Sequence, residues 1–270
     1  MPPATPPTID PPDPWQGLAD QAPALWAGLH ATLARFERTP DLKALNQAAR
    51  QRGIRNARGQ PIQFIEQQKP CGQREYEWHI HEHGHVLTRA HLWHDIFNAC
   101  MWLTYPNTKA ELNAVHARQP AQQQRTPASD AATVFDESGA VLIGPDPRLA
   151  MWLKQHDWRS AFITHRHLWQ THRLLIIGHA VPEKLANPYP GMIAKVVHQP
   201  WPEVATLSDL PLELDARVAQ RWRSNEFTRA ADLFPVPVRG IPGADPDNER
   251  PSYYDNVTVF RPARHQTNNH

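Results

Sequence analysis

The chain is poor in cysteine: Cys71 and Cys100 are its two, with no CxxC pair among the 270 residues. Neither a disulfide framework nor a redox motif is available, which suits a reducing, cytoplasmic compartment. No apolar run approaches the length of a membrane-spanning helix. The opening stretch MPPATPPTIDPPDPW lacks the basic and apolar regions of a secretory signal. An excess of one charge is also missing. Lys and Arg total 28 against 27 Asp and Glu, for a net charge of +1. That balance, with no Lys/Arg block, removes the electrostatic case for nucleic acid or an anionic membrane as partner. There is no G-x-S-x-G, no Walker A and no G-x-G-x-x-G, so serine hydrolase, nucleotide hydrolase and Rossmann oxidoreductase have no support.

What is present is enough to bury a core, with 40% apolar residues and 10 tryptophans. Seven prolines within residues 1–14 predict an extended, disordered arm. A single globular domain is expected over residues 15–264, with a short disordered tail over 265–270. Trp15, Leu18, Leu25, Trp26, Leu29, Leu33 and Phe36 recur at helical spacing, interrupted by Pro23. A helix is expected from Thr39-Pro40-Asp41, with Thr39 as cap, to Gly53. Strands are expected at 61–66 and 76–82, the second because Tyr76, Trp78 and Ile80 alternate with polar residues. Helices should follow at 90–103 and 108–118, the latter opened by a Thr108/Glu111 capping box.

Residues 119–129 read as a polar loop, and 133–143 as a hairpin turning at 136–139. Helical stretches cover 147–169, a short strand spans 173–177, and a helix covers 212–223 before a proline-rich end. Without regular β-α alternation, the fold class is α+β, mostly helical with short strands and hairpins.

Two constellations carry chemistry. His81-Glu82-His83-Gly84-His85 matches H-E-x-x-H, and His91 stands where metzincin peptidases have a third zinc ligand. In that reading His81, His85 and His91 hold zinc and Glu82 deprotonates water. The context argues against it: the segment has strand alternation, Gly84 interrupts it, and Thr88 replaces the expected glycine. His79, His81 and His83 on one strand face would instead be an adventitious metal binder.

The second constellation lies in apolar surroundings. It comprises His94, Asp95 and Asn98, then Lys109, Asn113 and His116 at i, i+4 and i+7, then Asp136-Glu137, then His179 and Glu183. Helical spacing places each set on one face. An imidazole and a carboxylate four residues apart can pair or share a metal.

Here the sequence resembles a bacterial family catalogued as domain of unknown function 3025. The matching residues are Tyr76-Glu77, then Gly84, Val86, Thr88 and Arg89, WHD-x-FN from Trp93 to Asn98, and WLTYP ending at Pro106. Further matches are K-x-x-LN-x-x-H from Lys109 to His116, FDE ending at Glu137, GHA around His179 with Glu183, PVPVRGIPG ending at Gly243, and YYDN-x-x-VFRP. The resemblance implies one globular unit and supplies no activity. It has no H-E-x-x-H, which weakens the zinc-peptidase reading, and Leu87 stands in place of the family's proline.

Two function classes stay open. The first is a metal-assisted or acid–base hydrolase. Its catalytic groups would be His94, Asp95, Asp136, Glu137 and His179, its metal ligands His94, His116, His179 and Glu183, and zinc the expected ion. The second is a non-catalytic protein that binds a small polar or anionic ligand. In either, Asn98, Lys109, Asn113 and Arg89 would hold the ligand. The bland alternative is a satisfied polar network, with Asp95 serving backbone groups, His116 ending a helix, and Asp136-Glu137 building a turn.

Overall fold

The chain enters as a broken helix. In the computed structural model, which describes residues 15, 17–20, 22–119, 125–202 and 210–263, the first elements are the single turns α1 (Pro23–Trp26) and α2 (His30–Leu33). Their apolar spacing still works: Trp15, Leu18, Leu25, Trp26, Leu29 and Leu33 are all buried. The expected arm over 1–14 and tail over 265–270 lie outside the described residues. Helix α3 (Leu42–Gln51) follows, capped by Asp41, whose Oδ1 accepts from Ala44 N at 2.8 Å. Asp41, and not Thr39, is therefore the cap, and Pro40 precedes the helix.

Strand β1 (Gln63–Glu66) falls within its expected span. Residues 76–82, expected as a strand, belong to helix α4 (Gln73–His83). The inward side chains are Tyr76, Glu77 and Ile80, a helical set, while Trp78 is 51% exposed. Alternating hydrophobicity misleads here because a carboxylate faces in and a tryptophan faces out. Gly84 ends α4 in the left-handed region (φ 72°), and a Cβ there would lie 2.2 Å from the Pro61 carbonyl oxygen. Strand β2 (His85–Thr88) then pairs in parallel with β1.

Helices α5 (Trp93–Thr104) and α6 (Pro106–Ala117) match expectation within a few residues. Every residue from Asp95 to Thr104, and from Thr108 to Val115, is buried. Such helices have no solvent face, and α6 is wrapped by α4, α5, α7 and α10, the last two described below. The expected Thr108/Glu111 capping box does not form. Glu111 pairs with Arg223, and Thr108 sits one turn inside, its N–H donating to Asp215 Oδ1 at 2.7 Å.

The hairpin expected over 133–143, and the last three residues of the loop expected over 119–129, are replaced by α7 (Pro127–Ser138) running straight into strand β3 (Gly139–Gly144). Thr126 and Ser129 form a reciprocal cap at 3.2 and 3.0 Å, with Pro127 at the first helical position. Residues 120–124 of that loop lie outside the described residues. Helix α8 (Pro147–Lys154) and two tight turns, Ser160–Thr164 and Arg166–Gln170, lead to strand β4 (Arg173–Ile176). Helix α9 (Ala180–Leu185), strand β5 (Ile193–Pro200), helix α10 (Leu210–Arg223) and strand β6 (Phe234–Pro237) complete the frame.

The main sheet has the order β4-β3-β5-β6, antiparallel, parallel and antiparallel in turn. Its central strand GAVLIG is wholly buried, as an unbroken apolar run implies. The proline-bearing stretch FPVP is an edge strand, the one sheet position where Pro is cheap. One hydrophobic cluster joins sheet and helices, so the architecture is a single α+β fold. Burying each large side chain in it, such as Phe97, Trp102 or Phe135, contributes roughly 2–3 kcal/mol. No helix among the described residues is long and apolar enough to cross a membrane.

Candidate functional site

Three helix ends and one strand end meet at a cleft of about 450 Å³. From α5 comes His94, in the first turn, half-buried. Its neighbour Asp95 is fully committed: Oδ2 accepts from Arg89 N at 2.7 Å and Nε at 2.9 Å, and Oδ1 accepts from Arg89 Nη2 at 2.9 Å. Asp95 and Arg89, expected as catalytic and ligand-binding groups, thus hold each other and pin the start of α5.

Helix α6 presents Lys109, Asn113 and His116 on one face, as their spacing requires. Buried Lys109 donates to Asn98 Oδ1 at 2.7 Å and, by a short contact, to Asp136 Oδ1. Asn98 in turn donates to the Tyr76 hydroxyl at 2.7 Å. Asn113 donates to the Glu77 carbonyl and to its carboxylate, both at 2.8 Å. His116 Nε2 lies 3.9 Å from Glu77 Oε1.

Because α7 is a helix and not a hairpin, Asp136 and Glu137 project from its last turn. The strand end after β4 reaches them through two glycines. Gly178 N donates to Gly139 O at 2.8 Å, and a Cβ on Gly178 would stand 2.3 Å from Gly139 N. Only glycine allows that approach, which lets His179 N donate to the Asp136 carbonyl at 3.0 Å. Helix α9 then starts at once and brings Glu183 round.

The outcome is a convergence across the fold. His94 Nδ1 donates to Glu183 Oε2 at 2.9 Å, since a carboxylate can only accept. His94 Nε2 lies 3.0 Å from His179 Nε2, within hydrogen-bond distance. The buried His179 Nδ1 has no hydrogen bond, and Asp136 Oδ2 lies 3.6 Å from it. Glu137 Oε1 lies 3.7 Å from the same His179 Nε2. Among the described residues, His94, Glu137 and His179 form a group whose ligand atoms all lie within 4.8 Å of one another.

The electrostatics follow from burial. Desolvation pushes His179 down to about 3, so its ring is neutral at physiological pH. Desolvation raises Glu137, partly offset by the neighbouring His94. For Asp136 burial also acts upward, but Lys109, His179 and the Lys109 hydrogen bond outweigh it and hold the carboxyl below its ordinary range. Glu77 goes the other way: burial, only partly opposed by Asn113, pushes it up to about 7. His116 is lowered, chiefly by burial.

Of the expected metal ligands, His94 and His179 come together. Glu183 acts behind His94 and not beside it, and His116 sits with Glu77. Glu137, expected as a catalytic group, takes the ligand position. The peptidase motif is taken apart: His81 and Glu82 are on α4, His85 is on β2 beyond the Gly84 turn, and neither they nor His91 join a ligand group. Two histidines one helical turn apart need one continuous helix, and α4 ends first. Glu82 instead pairs with Arg58 at 3.2 Å. The expected strand face of His79, His81 and His83 is likewise absent, since all three lie on α4.

Glu77 and the bridge from Gln73 to Arg125 (2.7 Å) and Thr133 (2.9 Å) also line the cleft and were not foreseen as site residues. The inward helical set Tyr76, Glu77, Ile80 was the available signal.

No curated protein and no solved structure matches the chain. A family model described as protein of unknown function (DUF3025) matches residues 62–264, which carry every residue of this cleft, and the chain belongs to that family.

Proposed function

We propose that the protein is a hydrolase that holds a divalent cation, zinc by its ligand chemistry, on His94, His179 and Glu137. The observation that carries this reading is the pair of Nε2 atoms facing each other at 3.0 Å with a carboxylate beside them. At that separation either an Nε2–H of one ring donates to the other or a cation bridges both, and the carboxylate beside them favours the cation. Tetrahedral bonds of about 2.0–2.1 Å space ligands roughly 3.3 Å apart, and the separations of 3.0 and 3.7 Å bracket that value. Two imidazoles and one carboxylate form a set that leaves a fourth position open, where a cation supplies Lewis acidity and an acidified water.

Outer groups support the same reading. Glu183 orients His94, and the chain Asn98–Lys109–Asp136 stands behind His179, the arrangement that fixes tautomers in metal sites. Glu77, which carries a proton near neutral pH, gives the cleft a group able to protonate a leaving atom. The polar walls suit a small polar or anionic substrate. Both cysteines are free thiols, Cys100 buried, which supports a cytoplasmic setting.

The test is calorimetric titration of chelator-treated protein with Zn²⁺ and Mn²⁺, with metal content by elemental analysis, followed by a panel of ester, amide and phosphoester substrates. One cation per chain, lost in His179→Ala and in Glu137→Gln but kept in His85→Ala, is expected. Saturation that survives His179→Ala would overturn the assignment. Full occupancy without turnover of any substrate class would leave a ligand-binding protein in place of a hydrolase.

A further inference from the structure

A second cavity lies apart from the histidine cleft. A depression of about 1030 Å³ opens between α2, the turn after α3 and the junction of α5 with α6. Four arginines line it: Arg35, Arg52, Arg55 and Arg223. Two of them are spoken for. Arg223 is held by Glu111 at 2.5 and 2.8 Å, and Arg55 donates to the Gly59 carbonyl at 2.7 Å.

The side chains of Arg35 and Arg52 have no hydrogen bond or ion pair among the described residues. Arg52 is half-buried, and it and Arg35 are close enough to repel. Its guanidinium is held below its ordinary value, first by burial and then by Arg35. The nearby carboxylate, Asp215, is fully buried and already accepts from Asn107 N, Asn107 Nδ2 and Thr108 N at 2.8, 2.9 and 2.7 Å. Its charge is engaged by that helix end.

Two like charges in one depression, one of them partly desolvated and only partly offset by Asp215, cost free energy in the empty state. An oxyanion recovers that cost, because guanidinium forks match phosphate and carboxylate oxygens. We infer that this depression is a second site, which binds a small molecule bearing at least two oxyanion charges, on Arg35 and Arg52. Its volume admits a ligand of ordinary metabolite size. The site is independent of the hydrolase reading, since it shares no residue with the histidine cleft.

The probes are inorganic pyrophosphate and citrate, titrated calorimetrically into the full chain at 150 mM NaCl with a chelator present, so that no anion binds through a cation on His94 and His179. A single site per chain is expected, weakened at least tenfold in the double variant Arg35→Gln/Arg52→Gln and unchanged in Arg250→Gln, whose side chain lies outside the depression. Both substituted arginines are at least partly exposed, and circular dichroism checks that the variant folds. Pyrophosphate binding without citrate binding assigns phosphate chemistry, and the reverse assigns a polycarboxylate. Binding of neither probe, or binding retained in the double variant, overturns the inference.

Discussion

Two aspartates, Asp215 buried and Asp136 half-buried, meet successive residues of α6 and do opposite things. Asp215, from α10, accepts from the N–H groups of Asn107 and Thr108 and from the Asn107 amide. Its backbone partners are orphan donors of a helix N-terminus, so the three hydrogen bonds it accepts go into closing the fold. Asp136 meets Lys109, the next residue along. Its partners are side chains, Lys109 and His179, and beyond His179 the polar contacts continue to His94 and Glu137. Burial raises Asp215, whereas the neighbouring cation holds Asp136 down. A buried carboxylate answered by backbone is structure; one answered by side chains that lead to a cleft is part of a site.

The contrast can be broken in order of size. Lys109→Met removes the charge that keeps Asp136 ionised, and it should destabilise the fold by about 3–5 kcal/mol in urea titrations. A loss under 1 kcal/mol would show that Asp136 is solvated well enough to stand alone.

Glu77→Gln tests the acid side of the cleft. The folded pKa of about 7 lies above the ordinary 4.5, so Glu77 stabilises the protein while protonated, below pH 4.5, and that contribution fades as pH rises to 7. Relative to wild type, the Gln variant should gain about 3 kcal/mol between pH 4.5 and 8. Equal shifts of the two urea midpoints across that range would place Glu77 at its ordinary value.

Asp215→Ala strands the start of α6 and should cost about 2–3 kcal/mol, yet leave cation stoichiometry at the histidines unchanged once the variant is folded. Were the cation lost too, the two aspartates would be one coupled unit. Smallest is Glu183→Gln, which removes the carboxylate behind His94 and should weaken Zn²⁺ binding by about 10–100-fold with stability nearly intact.

Local chemistry made part of this readable in advance. The spacing of Lys109, Asn113 and His116 placed them on one face, and α5 and α6 were legible from their apolar density. His94, His179 and Glu183 were singled out, and the first two do converge. Other parts were hidden by ambiguity between equally local signals. Residues 133–139 carry Asp, Glu, Ser and Gly, which is turn chemistry, and the Thr126-Pro127 start that makes them helical sits seven residues upstream. Glu77 looked like the outer face of a strand because Trp78, exposed on α4, completes an apolar alternation with Tyr76 and Ile80. The H-E-x-x-H string matched letter by letter and failed on the one thing letters omit, a continuous helix under both histidines.

What the sequence determined alone are the features decided within a few residues. These are the apolar helices α5 and α6 and the one face of α6 that carries Lys109, Asn113 and His116. Such periods depend on neighbours along the chain, so they are written there. Which of 16 histidines face one another was decided only by tertiary structure. His94 and His179 stand 85 residues apart and meet because α5, the end of α7 and the glycine contact after β4 are packed into one corner. No local period encodes that meeting. It depends on how separate elements share one hydrophobic core, and so the chemistry of the cleft emerges only when the core closes.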